Sequence, residues 1–135
     1  VATGTTLMVH DDSIAQITEG DEYMTLAITP TSATNKLLIQ VVTQSANSVA
    51  GRMYTSLFQD STANALATVS WFGDANVEEM ASLNYYMTTG TASATTFRVR
   101  IGNQSAGTTT FNGDGGARKQ GGVYASSITI TEIAV

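Results

Sequence analysis

Between Thr95 and Gly102 every second residue is apolar. Phe97, Val99 and Ile101 fall on one side of an extended chain, Arg98 and Arg100 on the other. A side-chain period of two marks a strand with one buried face. The pattern recurs along the chain. Met24, Leu26 and Ile28 alternate with Thr25, Ala27 and Thr29 until Pro30, which cannot donate to a ladder, ends the run. Leu37, Ile39, Val41 and Thr43 share one face of Lys36–Gln44. Leu38 and Val42 make its other face partly apolar, as expected of a central strand covered on both sides. Met53–Asp60 and Ala65–Phe72 flank the turn-forming stretch Asp60–Asn64 and read as a hairpin. Ser82–Thr88, Thr108–Asn112 and Val123–Val135 complete the set. No segment sustains an apolar 3.6-residue period over eleven positions. The expected fold is therefore all-β, an antiparallel sandwich or jelly roll of about eight short strands.

Finer expectations follow from local chemistry. Val77–Ala81 reads as a helical turn. Gly113–Gly122, with five glycines around Arg118 and Lys119, reads as a loop. Ile133 is out of phase with Ile128 and Ile130, which predicts a bulge near Thr131–Glu132. Residues 1–20 lack alternation and read as an irregular arm, leaving 21–135 as one jelly-roll domain. Asp11, Asp12, Glu19, Asp21 and Glu22 gather five of the eleven acidic residues within twelve positions across this boundary. A start at Val1 rather than Met is expected of a processed, trimmed or excerpted chain.

The composition bears on association. Charged residues make up 13% of the chain, half of the roughly 25% usual in soluble domains. Polar positions are filled by hydroxyls and amides instead, with 22 Thr and 12 Ser. Such groups are cheaply desolvated when hydrogen-bonded, so neighbouring subunits can cover them. An oligomer is expected. Six basic against eleven acidic residues argue against nucleic-acid binding. No apolar run approaches the ~18 residues of a membrane span, and no secretory signal is present. With no Cys, there is no thiolate metal site, disulfide or Cys nucleophile.

Candidates for chemistry are few. His10 is the single histidine; Asp11 and Asp12 adjoin it, but sequence neighbours on an irregular arm seldom adopt triad geometry, and no G-x-S-x-G elbow is present. The acidic run lacks the D-x-[DN]-x-[DN]-G spacing of a calcium loop. Gly113-Asp-Gly-Gly116 lacks the Lys-Ser/Thr of a phosphate loop. Glu78 and Glu79 are adjacent, so on a strand they face opposite ways and do not pair across a cleft. Asn103-Gln-Ser105 matches a glycosylation acceptor at near-chance frequency. Neither catalysis nor a cofactor is expected. Trp and Tyr, by contrast, suit interfaces, which directs attention to Trp71, Tyr85, Tyr86 and Tyr124.

Ile17–Ile39, Ser93–Ile101, Thr110–Gly113 and Gly121–Ile133 resemble, in order, a module common in tailed-bacteriophage proteins. The resemblance implies a jelly roll similar to the tumour-necrosis-factor/C1q type, trimeric about a three-fold axis. Such modules close tail fibres, and a similar trimeric jelly roll decorates some phage capsids. What it implies here is a non-enzymatic virion-surface protein. A homotrimeric capsid decoration protein leads, and a receptor-binding tail-fibre tip is the alternative. No stalk, collagen-like repeat or heptad precedes the module, which favours decoration in a complete chain and the fibre tip in an excerpt. On this reading the candidate contacts, chosen for their residue chemistry, are Tyr85, Tyr86, Phe111 and Tyr124 at the trimer interface. Asp11, Asp12, Ile14 and Ile17 would meet the major capsid protein. Arg118, Lys119, Gly121 and Gly122 would form a loop facing a partner or host receptor.

Overall fold

The computed structural model describes all 135 residues, with strands throughout, one 3-10 turn and no α-helix. The strands are β1 (Ala2–Gly4), β2 (Asp21–Ile28), β3 (Lys36–Asn47), β4 (Gly51–Gln59), β5 (Ala67–Gly73), β6 (Glu79–Thr88), β7 (Thr95–Asn103), β8 (Thr109–Phe111), β9 (Gly113–Asp114), β10 (Ala117–Arg118) and β11 (Ser127–Ile133). Every ladder is antiparallel. One sheet runs β2-β7-β4-β5. In the other, β3 pairs with β6 on one edge and with β11 and then β8 on the other, with β1 outside β8. Apart from the β4–β5 hairpin, successive long strands alternate between the sheets, giving a β-sandwich with a jelly-roll-like strand order.

The alternation places the core where the sequence predicts it. Leu37, Ile39, Val41, Leu57, Leu83, Phe97 and Val99 interdigitate between the sheets and are fully or almost fully buried. A second cluster joins Met53, Ile101 and Phe111. Burying each such side chain contributes roughly 1.5–3 kcal/mol. One polar pair interrupts this interior: the hydroxyls of Thr43 and Thr55 meet across the sheets at 3.3 Å, satisfying each other where water is absent.

Three local expectations are corrected. Val77–Ala81 forms no helical turn; Glu79 to Ala81 open β6, because pairing with Thr43–Ser45 satisfies their backbone. No bulge lies at Thr131–Glu132, since β11 pairs with β3 without a break from Ser127↔Val42 to Ile133↔Lys36. Ile133 simply faces outward with Thr129 and Thr131. The register shift sits instead in β2, between Glu22 and Met24. The glycine-rich stretch is also more ordered than a plain loop, folding into the β9–β10 hairpin and the 3-10 turn Gln120–Gly122.

Candidate functional site

β8 and β11 lie in sequence along the same edge of β3, opposite Ser45–Asn47 and Lys36–Val42. They are two halves of one strand, parted at Gln44. There the Gln44 carbonyl accepts the Asn112 N–H at 2.8 Å, and its own N–H donates to Ser126 Oγ at 2.9 Å. Ser126 Oγ donates in turn to Asn112 Oδ1 at 2.5 Å, and Asn112 takes a left-handed φ of 58°. This closes the base of an excursion, residues 113–125, that leaves the sheet. Arg118 is exposed on it, and Lys119 reaches Asp114 at 3.7 Å. Gly121 and Gly122 both have positive φ, and the Arg118 guanidinium lies beside Gly122. The predicted contact residues thus come together on a projecting, cationic tip. Tyr124, at its return, donates to Glu78 Oε1 at 3.1 Å.

A second surface is the outer face of β6-β3-β11. Register places Met80, Ser82, Asn84, Tyr86 and Thr88 beside Gln44, Val42, Gln40, Leu38 and Lys36, with Ser127, Thr129, Thr131 and Ile133 beyond. Lys36, at one end, is the only charge, and its Nζ donates to Thr88 Oγ1 at 2.6 Å. Leu38 and Val42 are half-buried, while Met80 (67%) and Tyr86 (56%) are largely exposed. The cover that the apolar pattern of β3 leads one to expect on its outer side is therefore not supplied by its own chain; a partly apolar face, neutral but for Lys36, lies open.

The outer face of the other sheet differs. Residues 5–20 do not hang free but form a strap across it. Met8 N–H donates to the Asn103 carbonyl and Gly20 N–H to that of Leu7. Arg100 clamps the Glu19 and Gly20 carbonyls at 2.8 and 2.7 Å. Ile17 N–H donates to the Ala63 carbonyl and Ala65 N–H to that of Ala15. Much of the acidic run is spent here: Glu19 accepts the Val9 and Gln16 N–H groups, and Asp21 holds Thr6. Met8 seats over Gly102, where a Cβ would stand 2.7 Å from its Cγ. Asp11, Asp12 and Ile14 remain exposed and Ile17 is half-buried. Between strap and sheet lies a cleft of about 390 Å³ lined by Met8, Ile14, Ala15, Tyr54, Leu66 and Thr68, among others.

His10 contacts the Tyr54 hydroxyl through Nδ1, with the rings 6.0 Å apart. Its ring thus pairs with a phenol rather than with Asp11 or Asp12. Burial pushes the Tyr54 hydroxyl above its usual range, with Asp11 adding to the rise and Arg52 opposing it. No three His, Asp or Glu side chains converge in a metal-holding arrangement. Asn103, of the glycosylation-like triplet, is buried, with its amide bonded to Val49 and Ser105.

Of the aromatic residues expected at an interface, only Tyr86 stands on the open face. Tyr85 points inward, half-buried against the core. Phe111 is buried and stacked on Tyr23 at 5.1 Å. Both are corrected to interior residues, because β6 and β8 register with the inward positions of β3. Sequence reasoning also missed Met8, Gly102 and Arg100 as the strap's seat. Phe58 carried the signal: it is apolar on the face opposite Leu57, and wholly buried there. The sequence matches no protein-family model and no curated protein.

Proposed function

We propose that this chain is a non-enzymatic structural protein of a bacteriophage particle surface. Its copies associate as a homotrimer through the open β6-β3-β11 face and decorate the capsid. The carrying observation is that face: neutral, hydroxyl- and amide-rich, with Tyr86 and Met80 exposed and Leu38 and Val42 half-buried among them. Its one charge, Lys36, sits at an end of the face and is bonded to Thr88, and its hydroxyls and amides can exchange water for partners across an interface. A stable association of this kind covers about 800 Å² per partner. The resemblance of the sequence to a tailed-phage module of the tumour-necrosis-factor/C1q type is what suggests a three-fold arrangement. The strap's exposed bend, Asp11, Asp12 and Ile14, then faces basic and apolar groups of the major capsid protein. Multi-angle light scattering tests the trimer: a mass that remains one subunit at micromolar concentration would falsify it.

A tail-fibre tip that reads a host receptor is the second reading, and the 113–125 excursion favours it. Recognition residues commonly sit on loops held by a rigid scaffold, and Arg118 is exposed on one with a closed base. Labelled protein binding to host cells, abolished by Arg118→Ala with Lys119→Ala, supports this reading. Absence of any cell binding supports decoration.

A further inference from the structure

β5 is the outer strand of its sheet, paired with β4 alone. No other backbone hydrogen bond involves Ala67–Gly73, so alternate N–H and C=O groups along its free edge have no protein partner. Natural edge strands are guarded by charges, proline or bulges. β2 carries Asp21, Glu22 and a bulge, β6 carries Glu79, and β11 carries Glu132. The sequence of β5, Ala-Thr-Val-Ser-Trp-Phe-Gly, has none of these.

We propose that β5 is a self-complementary seam, pairing antiparallel with β5 of a second copy about a two-fold axis at Ser70. That centre is the register that overlaps the whole strand. It sets Ser70 against itself, Val69 against Trp71 and Thr68 against Phe72. Directly opposed residues share a face, so the outward side chains of both copies stay outward. No charge meets a like charge anywhere along the pair. The register also has a use for two otherwise unexplained features. Phe72 is 60% exposed on the outer face, and the apolar cleft under the strap opens beside Thr68. Pairing brings each Phe72 opposite the other copy's Thr68, at the mouth of that cleft. Exposed aromatic and unfilled cleft are thereby matched twice, as two-fold symmetry requires.

The seam lies on the sheet opposite the proposed trimer face, so the two associations are separable. Ser70 is exposed, and replacing it leaves the fold intact. In concentrated solution the native chain is expected to have twice the mass of Ser70→Glu or Ser70→Lys, whether the unit doubled is a monomer or a trimer. An equimolar mixture of the two charged variants restores the doubled mass, and Phe72→Ala halves it. The chain has no cysteine, so Ser70→Cys reports the register. Facing residues in an antiparallel pair lie about 4.5–5.5 Å apart at Cα, within disulfide reach. Mild oxidation should link Ser70→Cys into dimers while Ser61→Cys, in the exposed turn, stays single. Equal masses for the native chain and Ser70→Glu overturn the seam; linkage of Ser70→Cys no faster than Ser61→Cys overturns its register.

Discussion

The two sheets present outer faces that meet opposite ends. On β2-β7-β4-β5, Arg98 and Arg100 point outward, and residues 5–20 of the chain lie across this face, fixed by Arg100 and by backbone bonds. On β6-β3-β11 the outward residues are neutral apart from Lys36, and nothing of the chain covers them. The comparison teaches that charge and cover go together here. The strap needs guanidinium donors to bind its carbonyls, so the face it covers carries cations. The bare face carries only Lys36, at one end and bonded to Thr88, which suits a partner of identical sequence: a copy brings the same charges, and like charges across an interface repel.

If the strapped side of this sheet is sealed, removing what is buried there is costly. Phe58 points to the strapped side, opposite Arg98 in the ladder, and is 0% exposed. Phe58→Ala should destabilise the subunit by about 3–5 kcal/mol, as for a large buried aromatic. Urea unfolding measures this. A loss below about 1 kcal/mol would mean that the strap lifts readily and the face is not sealed.

A smaller effect tests the strap's seat. A methyl at Gly102 would stand 2.7 Å from Met8 Cγ, 3.0 Å from the Thr6 carbonyl oxygen and 3.1 Å from Gly20 Cα. Only the first of these neighbours is a flexible side chain. Gly102→Ala is expected to cost about 1–3 kcal/mol, the range for overpacking. The cost should be local: the Met8, Ile17 and Gly20 amides lose hydrogen-exchange protection while the β3 amides keep theirs. Uniform loss across both sheets would show that strap and sandwich unfold as one unit.

How far this was legible in the sequence depends on who supplies the partner. Strand positions and core faces were readable because inward residues such as Phe97, Val99 and Leu57 meet neighbours of the same apolar type, and a period of two reports that directly. The strap was not, since its cohesion comes from backbone carbonyls meeting Arg100 and from a missing side chain at Gly102. Neither leaves a periodic trace. Leu38 and Val42 gave a true signal of two-sided apolarity, but the chain itself supplies a cover on one side only. The interrupted strand was hidden for a similar reason. The join between β8 and β11 rests on one hydroxyl, Ser126, and on one left-handed residue, Asn112.

The bare sheet has its own fastening at the rim, and pH reaches it. Glu132 accepts from Asn35 Nδ2 at 2.7 Å and from the Thr31 N–H and hydroxyl at 2.9 Å, tying β11 to the Pro30–Asn35 turn. The Asn35 amide, aided by Thr31, holds this carboxyl below its ordinary range. A lowered folded-state pKa means that the tie stabilises fully above the ordinary carboxylate range and is lost as pH falls through the depressed value. Thermal midpoints taken down an acid series should therefore converge for the native chain and Glu132→Gln, which lacks the carboxylate at every pH. Parallel curves that never converge would assign the stabilisation to shape rather than charge.

The smallest change in subunit stability is expected on the bare face itself. Tyr86 is more than half exposed, opposite Leu38, so Tyr86→Lys removes little that the folded subunit buries. In dilute solution, with subunits apart, the unfolding midpoint should move by less than about 0.5 kcal/mol equivalent, as for ordinary surface changes. Concentration then separates the variants. Association with a folded partner stabilises by mass action, so the native midpoint climbs as protein is added. Three lysines brought together about one axis should leave the variant's midpoint flat. A native midpoint that ignores concentration would mean that a neutral, uncovered sheet is simply a solvated surface, and that the contrast between the two faces records how the strap is held rather than how copies meet.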